Sequence, residues 1–165
     1  MTHPTYNVLF ICTRNSGRSI LAEALMNELG SAKGFRAYSG GSMPHGGIHP
    51  LALKTLQDHH LSTDGLHSKD WHTYTGADAP EMDFVFTVCD EAAGEVCPVW
   101  PGQPLTAHWG QPDPAAFEGN ESAQAHAFLT AFVTIKRRIE LMLALPMAQL
   151  DRLAIHHHIT EIAQR

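Results

Sequence analysis

Apolar residues fall along the chain in short unbroken runs, separated by longer stretches in which they recur at spacings of three and four. Residues 7–12, NVLFIC, form the first run, rich in β-formers and bounded by polar positions, as a buried parallel strand requires. In residues 19–29 the side chains of Ile20, Leu21, Ala24, Leu25 and Leu29 share one side of a helix, with Gly30 as the expected stop. The pattern then predicts a strand over 35–39 closed by Gly40 and Gly41, a helix over 49–58, a nearly all-apolar strand over 83–89 and a short strand within 105–108. Phe128, Phe132, Ile135, Ile139 and Met142 predict a long helix over 121–145, ended by Pro146. Leu150, Leu153, Ile155 and Ile159 predict a further helix within 147–165, packed on the domain as an appendage. Strands alternating with helices define the α/β class: a four-stranded open parallel sheet with helices on both faces, and ligands outside the carboxyl ends of the strands.

Composition narrows the picture. At 165 residues, 44% of them apolar, the chain suits one well-buried core, and no repeat or linker divides it. Residues 1–165 are therefore read as one domain. The formal charge is −6 and the eleven Lys and Arg are scattered, so no basic stripe answers a phosphate backbone and nucleic acid is not expected as a partner. The amino terminus lacks the basic region of a signal peptide, and no apolar run approaches the roughly 18 residues of a membrane helix, so a cytoplasmic protein with no membrane partner is expected. Three cysteines, Cys12, Cys89 and Cys97, are an odd count in such a compartment, which points to reactive thiols rather than to structural disulfides.

The chemistry concentrates where the first strand meets the first helix, in the stretch CTRNSGRS. The chain turns through Thr13, Arg14, Asn15, Ser16 and Gly17 and enters the helix at about Arg18. Asn15 and Gly17 tolerate left-handed backbone angles, so successive amides can be aimed inward. The helix adds its unpaired first-turn N–H groups and its positive dipole end. Such a cradle suits a tetrahedral dianion, with Arg18 gripping it bidentately, Ser19 donating to the Cys12 sulfur, and the Cys12 pKa brought below about 8.5. Further along, HWGQPDPAAF sets Asp113 between Pro112 and Pro114, which stiffen the segment that carries its carboxyl.

The first of these stretches resembles the phosphate loop of the low-molecular-weight protein tyrosine phosphatase superfamily, which also contains arsenate reductases. The resemblance implies a phosphatase-I-like core over 6–145 with 147–165 as a helical extension, Cys12 as nucleophile and Asp113 as general acid. The stretch VCDEAAGEVCPVWPGQP, with Cys89 and Cys97, resembles the arsenate reductase branch. On that resemblance Cys12 attacks arsenic, Asp113 protonates the departing oxygen, Cys89 displaces arsenite by forming a disulfide with Cys12, and Cys97 passes the disulfide outward. No tightly bound cofactor is implied, only an external thiol reductant. The Cys89 to Cys97 interval is one residue longer than in the best-known thioredoxin-coupled members, so thioredoxin and glutathione with glutaredoxin both stay open as donors. Arsenate is the expected ligand, with phosphate or sulfate as analogues.

Some superfamily members hold potassium beside this loop. Asn15, Glu23 and Ser39 match their ligands here, but Lys69 stands where an Asp would complete the set. A Lys69 ammonium beside Glu23 would replace the ion as structural support, so no metal is expected. Among the twelve histidines, His156, His157 and His158 point about 100° apart on a helix and do not converge on an ion. The competing activity is phosphomonoester hydrolysis by Cys12, Arg18 and Asp113, against which stands the absence of obvious aromatic walls after Asp113; a thiol-bearing oxyanion-binding module without turnover would have no use for Asp113.

Overall fold

In the computed structural model, which describes residues 5–44, 46–88, 100 and 102–165, four parallel strands are ordered β2-β1-β3-β4. They are β1 (Tyr6–Ile11), β2 (Phe35–Gly40), β3 (Phe84–Thr87) and β4 (Leu105–His108). Alternation along β1 sends Val8 and Phe10 to one face and Leu9 and Ile11 to the other, and all four are fully buried. Covered on both sides, the central strand reads as a continuous apolar run for that reason.

The face of Val8 and Phe10 carries the larger core, to which helices α1 (Arg18–Gly30), α2 (Pro50–Asp58), α3 (Glu121–Leu143) and α4 (Arg152–Ile162) all contribute. The face of Leu9 and Ile11 packs, among the described residues, against Trp71 and Tyr74 of a 3-10 turn and against Met82, Val85 and Trp100. Trp71 and Trp100 meet edge to face with ring centroids 6.2 Å apart.

Two helix ends differ in detail from expectation. α1 ends at Gly30 as expected, but Gly30 is right-handed and buried where a Cβ would lie 2.9 Å from Phe35 Cβ, and the chain makes one more 3-10 turn before Gly34 takes the left-handed conformation at φ 85°. What Gly30 allows is close approach of helix and strand. Beyond Pro146, the chain first makes a separate 3-10 turn (Met147–Gln149), and Asp151 caps the true helix α4 by accepting from Ala154 N at 2.8 Å. That helix is packed into the core through Ile159 and Ile162, and the Trp109 indole, stacked on Phe86 at 3.9 Å, donates to Ile159 O at 2.9 Å.

Candidate active site

Residues 12–17 carry the chain from the end of β1 to the first residue of α1, Arg18. The loop is braced from outside. Thr13 O accepts from Met43 N at 2.8 Å and Ser16 O from His49 N at 2.9 Å, while Arg14 O accepts from the Ser68 hydroxyl at 3.1 Å. No cis bond occurs among the described residues, and in a trans peptide the N–H points opposite the C=O. Holding those three carbonyls outward therefore turns the amides of Arg14, Asn15 and Gly17 toward the other side. That side is a pocket of about 260 Å³ lined by Cys12, Thr13, Arg14, Ser16, Gly17, Arg18, Asp113, Ala115 and Ala116.

Of the two residues expected to turn left-handed, Asn15 does so at φ 50°, but Gly17 does not: its φ is −135° and it serves as the N-cap of α1. Asn15 holds the turn from inside. Fully buried, it donates from Nδ2 to Ser19 Oγ at 2.7 Å and accepts from Lys69 N through Oδ1 at 2.8 Å. Gly41, at the end of β2, lies beneath the loop, where a Cβ would stand 2.6 Å from Thr13 O and 2.7 Å from Cys12 O.

Arg18 is buried, and its Nη1 donates to Gln111 O at 2.7 Å. Its Nη2 stands 3.7 Å from Asp113 Oδ2 across the pocket. The other oxygen of Asp113 accepts from Ala115 N at 2.9 Å, capping the short turn Pro114–Ala116. Oδ2 is left facing the pocket, the orientation that a proton donor to a bound anion needs.

Behind the loop, Glu23, Ser39 and Lys69 meet. The Ser39 hydroxyl donates to Glu23 Oε1, and Lys69 Nζ lies 3.4 Å from the same oxygen and 3.3 Å from Ser39 Oγ. Lys69 Nζ also donates to His67 O at 2.7 Å. The ammonium thus stands among the groups matched to the potassium ligands, and its own main chain holds Asn15. Burial, followed by the Glu23 and Tyr38 charges, pushes the Tyr74 phenol above its ordinary range, so it stays neutral beside this cluster.

Cys12, Arg18 and Asp113 are thus brought to one pocket, with Glu23 and Lys69 behind it; Cys89 and Cys97 lie outside the described residues. Among the described residues no three His, Cys, Asp or Glu side chains are placed to hold a metal ion. His156 bonds to Thr106 O at 3.1 Å, whereas His157 and His158 face Glu161. No described helix is long and apolar enough to cross a membrane. Sequence reasoning missed Gly41, His49 and Gln111 as parts of the site. Gly41 had a visible signal, a second glycine directly after a strand end; Gln111 acts through its main chain, which no side-chain pattern reveals.

A buried cysteine after the first parallel strand, sharing one pocket with an arginine at the start of the first helix and a facing carboxyl, marks a class of α/β proteins built around a cysteine-centred loop. Within that class, this chain belongs to the low molecular weight phosphotyrosine protein phosphatase family, whose profile matches residues 7–153. It is 32% identical over 133 residues to a protein of Shouchella clausii (strain KSM-K16) named arsenate reductase, covering 81% of this chain and 91% of that one. A solved arsenate reductase in the phosphate-binding state superposes with a TM-score of 0.65 and 26% identity, over 85% of this chain and 98% of that one. A thioredoxin-dependent arsenate reductase of Corynebacterium glutamicum superposes with a TM-score of 0.59 and 27% identity, over 90% of this chain and 66% of that one.

Proposed function

We propose that this protein is an arsenate reductase, with Cys12 as nucleophile and Asp113 as the acid. The observation that carries the reading is the small pocket in which Cys12, Arg18 and Asp113 meet, whose described lining holds no aromatic side chain. An aryl phosphate needs an apolar wall for its ring; an inorganic anion needs only the amides and the guanidinium. The names of the relatives support the same substrate.

Arsenate binds with its oxygens on the amides of residues 13–18 and on Arg18. The Cys12 thiolate forms a bond to arsenic, and one oxygen leaves as water, its proton supplied by Asp113. Ser19, whose oxygen already accepts from Asn15, keeps its hydroxyl proton for the thiolate. A second thiolate then attacks Cys12 sulfur: a sulfur–sulfur bond forms, the arsenic–sulfur bond breaks, its electron pair stays on arsenic, and arsenic falls from the pentavalent to the trivalent state as arsenite leaves. We assign that attack to Cys89 and the onward exchange to Cys97, with an external dithiol or glutathione as the final two-electron donor. Support for Cys89 comes from the strand register of the residues before it: Ile11 pairs with Thr87, and Val88 N donates to Ile11 O at 2.9 Å, so the last described residue of this segment, Val88, is held at the end of β1. The Lys69 ammonium supports the loop in place of a metal, and no tightly bound cofactor is required.

The test compares arsenate turnover, with thioredoxin or with glutathione and glutaredoxin, against aryl phosphate hydrolysis in wild type, Cys12→Ser and Cys89→Ser. Cys12→Ser should abolish both activities, and Cys89→Ser should abolish arsenite production alone. Aryl phosphate hydrolysis without arsenate reduction in the wild type makes the protein a phosphatase instead.

A further inference from the structure

Three consecutive carbonyls of the segment leading to Asp113 are held by two buried guanidiniums from different helices. Arg18, at the start of α1, donates to Gln111 O at 2.7 Å. Arg138, in α3, donates from Nη1 to Trp109 O at 2.8 Å and to Gly110 O at 3.3 Å, and from Nη2 to Ala163 O at 3.2 Å. Arg138 is only 7% exposed and lines no part of the pocket that contains Cys12. Burial, aided by the neighbouring Arg137, pulls its pKa below the ordinary arginine value.

A buried guanidinium without a carboxylate partner is a poor way to stabilise a core. Among the described residues Arg138 has no ion pair, and its Nε has no hydrogen-bond partner. Apolar residues replace whole buried ion pairs with little loss of stability or with a gain, so what Arg138 contributes here is its bonds to the Trp109, Gly110 and Ala163 carbonyls. What an apolar residue does not supply is a planar fork that fixes the orientation of facing carbonyls. Beyond Gln111 the chain has few ways to turn, because Pro112 and Pro114 hold φ near −65° and Asp113 is locked by its own bond to Ala115 N. Fixing the peptide planes at 109–111 therefore fixes where the Asp113 carboxyl points.

We propose that Arg138 is a positioning residue for the reaction, clamping residues 109–111 so that Asp113 faces Cys12 and Arg18, and tying that segment to the C-terminal helix through Ala163. Ala163 lies beyond the residues matched to the family, 7–153. The inference rests on Asp113 serving as the acid.

The full-length chain is tested as Arg138→Met and Arg138→Lys, each alone and combined with Asp113→Asn. Arg138→Met should lower kcat roughly ten- to hundredfold, the loss expected when a reacting group is displaced by about 1 Å. KM for arsenate should stay near wild type, and Arg138→Lys should recover part of the loss. In the Asp113→Asn background, Arg138→Met should add nothing to the loss of kcat, because the residue it acts through is gone. Amide hydrogen exchange should rise in residues 109–117 for both variants. Equal losses of kcat with and without the Asp113 carboxyl overturn the proposal, and so does unchanged exchange over 109–117. If Arg138→Met does not fold, Arg138→Lys carries the same cycle. A wild-type protein that reduces no arsenate refutes the proposed function, and the cycle is then read on aryl phosphate hydrolysis.

Discussion

Replacing Gly41 by alanine adds one carbon where the site has no room for it. Gly41 does not adopt a positive φ, so its backbone would accept an alanine; space alone forbids it. The new Cβ would stand 2.6 Å from Thr13 O, 2.7 Å from Cys12 O and 3.0 Å from Asn15 N, all main-chain atoms of the anion loop. Nor can Gly41 retreat freely, because its N–H donates to Lys69 O and its carbonyl accepts from Trp71 N, both at 2.9 Å. Restoring an ordinary 3.4 Å contact moves Thr13 O by about 0.8 Å, beyond the roughly 0.5 Å within which a reacting constellation must be held. Overpacking of this kind costs about 2 kcal/mol, or a Tm lower by roughly 4–8 °C in a domain of this size. The displaced loop should also lose about a hundredfold in kcat/KM for arsenate. Thermal unfolding, turnover and protection of Cys12 by phosphate against alkylation read the three effects, with Gly76→Ala, where a Cβ meets nothing within 4 Å, as the control. Wild-type Tm and turnover in Gly41→Ala would refute the close packing on which the loop's geometry depends.

Other perturbations probe the loop's supports. Asn15→Ala removes a buried hydrogen bond to Ser19 and a partly buried one from Lys69 N, and should lower stability by about 2–4 kcal/mol in denaturant titrations, with loss of phosphate protection of Cys12. Lys69→Met leaves Glu23, among the described residues, with the Ser39 hydroxyl as its hydrogen-bond partner; it should cost about 3 kcal/mol, while turnover of the wild type should be indifferent to exchanging sodium for potassium. Asp70, paired with Gly41 in an isolated bridge beyond the end of β2, caps the turn at Trp71–Tyr74, and the His72 main-chain N–H, then its ring, hold the carboxyl below its ordinary value. A depressed carboxyl contributes stability above its unfolded value of about 3.9 and loses it as pH falls through the lower folded one. The stability gap between wild type and Asp70→Ala, about 1 kcal/mol from the lost cap and read as a difference in Tm, should therefore hold at about pH 5–6 and close below about pH 4.

The parts of this protein legible in its sequence are those written in side-chain periodicity or in a contiguous motif. The run through β1, the helical spacing of Phe128 to Met142 and the turn from Cys12 to Arg18 are all of that kind, and each lies within a residue or two of its place. Asp113 was legible because two prolines isolate it. The reading faltered where a residue acts through main chain or through space. Gly30 reads as a helix stop and α1 does end there, but its close approach to Phe35 and Met26 involves partners the sequence does not place beside it. Gln111 and Arg138 resemble ordinary polar positions of a loop and a helix; only the fold shows one offering a carbonyl to Arg18 and the other gripping Trp109 and Gly110. Cys89 and Cys97 rest on the resemblance and on the register at Val88.

Selectivity on this reading cannot come from the cradle itself. Main-chain amides and one guanidinium recognise charge and tetrahedral geometry, which phosphate and arsenate share, and a pocket of about 260 Å³ admits either. The two anions part ways only once Cys12 has attacked. A phosphocysteine attacked at sulfur by a second thiol would have to leave its electron pair on phosphorus, whereas arsenic accepts that pair readily and departs as arsenite. Under the proposed relay the loop binds both, and the second thiol sorts them. Phosphate should accordingly be a competitive inhibitor of arsenate reduction, raising KM and leaving kcat unchanged, and its inhibition constant should be the same in Cys89→Ser when measured by protection of Cys12 from alkylation. An inhibition constant that moved with Cys89 would mean that the second thiol helps to build the anion site rather than acting after it is filled.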